Sequence, residues 1–203
     1  MNHRRFAFPT LFAVLLSACQ STTPSSPPAG DGAEPDMQDM MAMMEKLATP
    51  GPEHAFLDDL AGTFDATITL WLDPSAPPVV STGTMESHWI LGGRYLQGDY
   101  SSMFMGAPFS GLSLTGYDNA QGVFQGTWLD TMGTGMMPIS AGHRTGNTIT
   151  FERDMFDPMQ GKMVHEREVI TIEDHDHNSM LMFVVQPDGT AVQTMEIEYT
   201  RKK

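Results

Sequence analysis

The chain has 203 residues, 40% of them hydrophobic, and a formal charge of −14. That length holds one ordinary domain plus extensions, and the apolar content is enough for a core. So acidic a surface repels phosphate backbones and argues against nucleic-acid binding. It argues equally against a grip on anionic lipid through basic patches. The one cysteine, Cys19, rules out a disulfide framework within the chain.

Arg4 and Arg5 open the sequence, and a mostly apolar run over 6–16 leads to Leu16-Ser17-Ala18-Cys19. The run is too short to span a bilayer. A charged start, a short apolar segment and small residues at the cut predict a signal peptide over 1–18. Leu-Ser-Ala-Cys resembles the lipobox of bacterial lipoproteins, in which the cysteine receives diacylglycerol and becomes the N-terminus. The expectation is therefore lipidation at Cys19, rather than an incidental cysteine or a buried thiol. Gln20 then stands second, where an aspartate usually causes inner-membrane retention in Gram-negative bacteria. Glutamine favours the periplasmic side of the outer membrane. Residues 19–35 are small or polar, with Pro and Gly, and predict a disordered tether.

Residues 36–61 carry two helical patterns. Asp36 is a plausible N-cap, and Met37, Met40, Met41, Met44, Leu47 and Ala48 follow at helical spacing on one face. Thr49-Pro50-Gly51-Pro52 ends that helix. Methionine is a pliable apolar filler, so the stripe is expected to pack on the barrel. The alternative is a soft-metal site, since thioethers bind Cu(I). A second short helix is read from Glu53 to Leu60, with Phe56, Leu57 and Leu60 inward.

From residue 62 to the end the chain reads as about ten strands separated by turn residues. The runs are 63–72, 79–91, 94–104, 109–117, 122–130, 136–143, 147–155, 162–174, 178–186 and 190–201. Phe64, Ala66, Ile68 and Leu70 alternate with Asp65, Thr67 and Thr69. No helical run of crossover length separates the strands, which excludes a parallel α/β sheet. A long antiparallel meander tends to close, so the expected fold is an all-β up-and-down barrel over 62–203.

Several motifs occur in a fixed order: Pro50-Gly51-Pro52-Glu53-His54, Trp89 to Leu96, Gly106-Ala107-Pro108-Phe109 and Gly116-Tyr117-Asp118-Asn119. Trp128-Leu129-Asp130, Gly161-Lys162, Pro187-Asp188-Gly189 and Met195 to Arg201 complete the series. With them the chain resembles the Domain of Unknown Function 1579 family of bacterial proteins over about residues 37–203. The resemblance implies a lipocalin-like, calycin-type barrel and no particular activity. Phe64 stands where the family commonly has tryptophan, at a position that plugs the barrel base.

Three groups of residues are candidates for function. Arg94, Arg153, Arg167 and Arg201 lie in strands, and an inward arginine in a small barrel can hold a ligand carboxylate. The competing reading pairs them with Glu86, Asp130, Glu166 or Glu196. Asp174-His175-Asp176-His177-Asn178 has metal-ligand residue types, but they are adjacent and suit a hairpin turn. His88, Tyr117, Trp128 and Asp130 are candidates to line a pocket. No nucleophile elbow, phosphate loop or HExxH motif is present. The sequence therefore reads as a lipid-anchored envelope barrel that binds a small apolar or amphipathic molecule, with no cofactor and no catalysis. The ligand-binding candidates are Arg94, His88, Tyr117, Trp128, Asp130 and Arg167. The alternatives are an interaction barrel with a filled core and a copper binder through Met37, Met40, Met41 and Met44.

Overall fold

The structure, a computed structural model, describes residues 36–73 and 75–203. The expected signal peptide, Cys19 and the tether lie outside the described residues. Helix α1 (Met37–Ala48) and a single turn α2 (Pro52–Ala55) lead into a 3₁₀ turn over Phe56–Leu60. Ten strands follow: β1 (Gly62–Leu70), β2 (Val79–Ile90), β3 (Tyr95–Phe104), β4 (Ala107–Asp118) and β5 (Val123–Asp130), then β6 (Ser140–Thr145), β7 (Thr148–Asp157), β8 (Lys162–Ile172), β9 (His177–Val185) and β10 (Ala191–Arg201). Each strand pairs antiparallel with the next, and β1 also pairs with β10. The meander closes on itself and leaves no free sheet edge.

Period-two alternation decides which side chains face in. Phe64, Ala66 and Ile68 of β1 are buried, while Asp65 and Thr67 between them are exposed. Two interior glycines make room for aromatic rings lying along the wall. A Cβ on Gly83 would sit 2.2 Å from the Tyr100 hydroxyl, and one on Gly111 would sit 2.0 Å from the Trp128 ring. Neither ring could keep its place if those positions carried a side chain.

The base is closed by the chain that precedes β1. Leu57 of the 3₁₀ turn is fully buried against Phe124, Ile149 and Phe151, with Phe56 and Leu60 packed around them. Polar contacts hold this plug to the strand ends. Arg144 of β6 grips Glu53 through two bonds of 2.8 and 3.0 Å, and its guanidinium lies over the Phe56 ring. The Trp89 indole donates to Asp58 at 2.8 Å, and His175 meets Asp59 at 2.9 Å. Arg201 donates to the carbonyls of Asp59, Ala61 and His175, and stacks on Phe64. Gly62 has φ +130°, and a Cβ there would collide with Arg201, so only glycine serves at the start of β1.

Two expectations are corrected. The methionine stripe does not pack on the barrel. α1 has no buried residue, and Met37, Met41 and Met44 are each more than three-fifths exposed. The helix is tied near its C-terminus instead, where Asn119 donates to the carbonyls of Leu47 and Thr49 at 2.9 Å. The sixth strand, expected over 136–143, runs Ser140–Thr145. Residues 131–139 form a loop containing Gly133, Gly135 and Pro138, and proline has no N–H for a ladder. Met137 still closes on β5, donating to the Trp128 carbonyl at 3.0 Å and accepting from the Thr127 hydroxyl at 2.6 Å. β5 and β6 are joined by three residue pairs.

Candidate ligand-binding cavity

The inner faces of the strands enclose a cavity of about 490 Å³. Its lining is mainly apolar, with Phe64, Ile68, Met85, Met180, Met182 and Ile197 among the contributors. At its outer end lie the loops opposite the plug. Exposed apolar residues gather there, including Met105, Met132, Ile139, Phe156, Met159 and Met163.

One charged cluster interrupts the apolar wall. Arg153 of β7 lies directly across from Glu166 of β8 in the register, with Glu168 two residues on. The Arg153 Nη2 atom meets Glu166 Oε1 and, at 2.8 Å, Glu168 Oε2. Its Nη1 donates to the Ser140 hydroxyl at 3.3 Å. Its Nε is buried with no hydrogen-bond partner among the described residues. Arg153 is 8% exposed and Glu166 is 7% exposed. Burial opposes the Arg153 charge, but attraction from Glu168 and Glu166 outweighs it and holds the guanidinium above its usual value. Burial pushes the Glu166 carboxyl up, and attraction from Arg153 offsets only part of that. The Tyr199 phenol is also raised, first by burial and then by the negative charge of Glu168.

Trp128 and Asp130 line this cavity. The Trp128 indole donates to Asp130 at 2.8 Å, and the same carboxylate accepts from the Met132 amide at 2.8 Å. The other sequence candidates lie elsewhere. His88 and Arg167 face outward, where His88 is 3.9 Å from Asp99 and Arg167 meets Glu152 at 2.7 Å. Arg94 and Tyr117 border a separate cleft of about 350 Å³ at the base, together with His54, Asn119 and Gln125. Arg94 donates to the carbonyls of Leu91 and Gly92 in its own turn, and not to Glu86 or Asp130. His54 is buried, and its Nδ1 accepts from the Gly51 amide at 3.1 Å. Desolvation, and after it the positive charge of Arg94, lowers the His54 value. In the Asp174–Asn178 stretch Asp174 accepts from the amides of Asp176 and His177, as a turn aspartate does.

Glu168 is not among the sequence candidates, whereas Arg153 is one both as a holder of a ligand carboxylate and as a structural partner of Glu166, and the structure pairs it with Glu166. Alternation carried the signal. Arg153 is in step with Ile149 and Phe151, and Glu166 and Glu168 are in step with Ile170 and Ile172. Arg153 and Glu166 continue those apolar faces near the middle of their strands and are buried with them.

The model of one family matches residues 49–201, a span that runs from the plug through the whole barrel. The chain belongs to the DUF1579 family. That family is described as proteins of unknown function. The crystal structure of Rv2717c from M. tuberculosis is similar in fold to this DUF1579 chain, with a TM-score of 0.53 at 16% identity, covering 76% of this chain and all of that one. A redesigned β-barrel aligns with 72% of this chain and 94% of its own, at 15% identity and a TM-score of 0.38. No curated protein matches the sequence. At 16% identity the likeness to Rv2717c concerns fold alone.

Proposed function

We propose that this DUF1579 protein holds a small apolar or amphipathic molecule inside its barrel, as a binding protein and not as a catalyst. The observation that carries this reading is the mainly apolar cavity of about 490 Å³. Small-molecule sites are concave, largely apolar and preformed, and span roughly 300–1,000 Å³. A barrel filled by its own side chains would lack such a space, so the cavity favours the binding reading over the interaction-module reading. Mass spectrometry of organic extracts from the purified protein tests it. A stoichiometric apolar compound is expected. A protein that yields none, and takes up no apolar dye when offered one, overturns the reading.

The same proposal places the protein in the cell envelope, anchored by lipid on Cys19. Support comes from the register of Arg4, Arg5, the apolar run and Leu16 to Cys19. Cys19→Ser is expected to release the protein from the membrane fraction, and a mature wild type without acyl mass overturns the anchor. A second reading draws on the exposure of Met37, Met40, Met41 and Met44 along one helix. Thioethers free of the core are available to a soft ion. Titration with Cu(I) decides it, since retention of the ion by wild type and by the four-leucine variant alike removes α1 as the site.

A further inference from the structure

We infer that the cavity prefers an apolar molecule with a neutral hydroxyl-type head over one with a carboxylate, the head docking on the Arg153–Glu168 cluster. This rests on the binding reading above and specifies the ligand class. Arg153 is the one cationic side chain among the described residues lining the cavity, against the acids Glu168 and Asp130. Its charge is already spent on two partners, since Nη2 lies against both Glu166 and Glu168. A ligand carboxylate would be a third negative charge beside this arginine, in a wall where water screens little. The arginine that would ordinarily recruit a fatty acid is therefore neutralised in advance.

A hydroxyl suits the cluster in both senses. It donates to the carboxylate of Glu168, which lines the cavity, and it accepts from the Tyr199 hydroxyl in the same lining. Tyr199, Asn178 and Ser140 line the cavity as neutral polar groups. They can hydrogen-bond a neutral head but bring no charge to balance an anionic one. An alkyl chain extending from the head meets the methionines of β9 and β10 and one isoleucine, namely Met180, Met182, Met195 and Ile197.

The test uses N-phenyl-1-naphthylamine as an apolar fluorescent probe of the barrel, displaced by decan-1-ol or by decanoate near pH 8. Probe fluorescence should rise on binding. Decanol should displace the probe at a concentration lower than decanoate by about tenfold or more, the scale of one unpaired charged hydrogen-bond partner. Glu168→Gln removes one negative charge and should narrow that gap severalfold, mainly by improving decanoate. If decanoate displaces the probe as well as decanol, or neither displaces it, the head-group inference falls while the binding reading stands. If the gap is unchanged in a folded Glu168→Gln protein, the cluster is not its origin and the inference falls. If the probe never binds, both fall. Should the variant not fold, the wild-type comparison of alcohol and acid alone decides.

Discussion

Arg153 and Arg94 are both strand-end or strand arginines by sequence, and the structure gives them opposite weight. Arg153 balances two glutamates inside the wall, so Arg153→Met strands the buried Glu166 and the partly buried Glu168 and is expected to cost on the order of 3 kcal/mol in urea denaturation. Among the described residues Arg94 bonds only to turn carbonyls, so Arg94→Met orphans no charge and should cost about 1 kcal/mol. Equal losses in the two variants would contradict this. Glu166 adds a pH dependence. Its folded value lies above the ordinary 4.5, so the native state holds that proton more tightly than the unfolded chain does. The stability it contributes is full below that ordinary value and is lost as pH rises through the higher folded one. Wild type should therefore lose ground to Glu166→Gln as pH rises from that ordinary value through the higher folded one, read as urea midpoints. A pH-independent difference would show the carboxyl to be unperturbed. These residues were legible by type and alternation, but the strand pairing that sets Arg153 opposite Glu166 is a long-range fact that a single sequence does not display.

The N-terminal elements show what periodicity can and cannot tell. Both helical patterns were visible, yet only one became part of the core. The Phe56–Leu60 turn buries Leu57 completely among Phe124, Ile149 and Phe151. Leu57→Ala removes that contact and leaves a void the rigid strand ends cannot fill, at a cost of about 3 kcal/mol in urea denaturation. The α1 methionines have the same apolar character and the clearer stripe, but they remain exposed. A stripe states that a face exists, not which surface covers it. Replacing Met37, Met40, Met41 and Met44 with glutamine should change stability by no more than about 0.5 kcal/mol per site. A larger loss would mean that the helix is packed in solution.

At the scale of the whole molecule, the turn chemistry and alternation sufficed to anticipate a closed antiparallel barrel, because a long meander has few other ways to satisfy its edges. The interior space was not legible, since a space depends on how rings lie across glycines on neighbouring strands. Gly111→Ala tests that dependence. The new methyl would displace the Trp128 ring, so apolar-probe affinity should fall even where the protein still folds. Unchanged affinity would place the probe away from that wall. The ladder around the barrel is also uneven in a way that reaches beyond static architecture. β3 and β4 share ten residue pairs, whereas β5 and β6 share three. Local opening free energies follow such differences, and amide hydrogen exchange reads them directly. The amides joining β5 to β6 should exchange well before those joining β3 to β4, under conditions where the barrel as a whole stays folded. The cylinder would then part along one seam, beside the loop of Met132 to Ile139, giving an occupant a lateral way in besides the loop end. Uniform protection around the circumference would leave the loop end as the route.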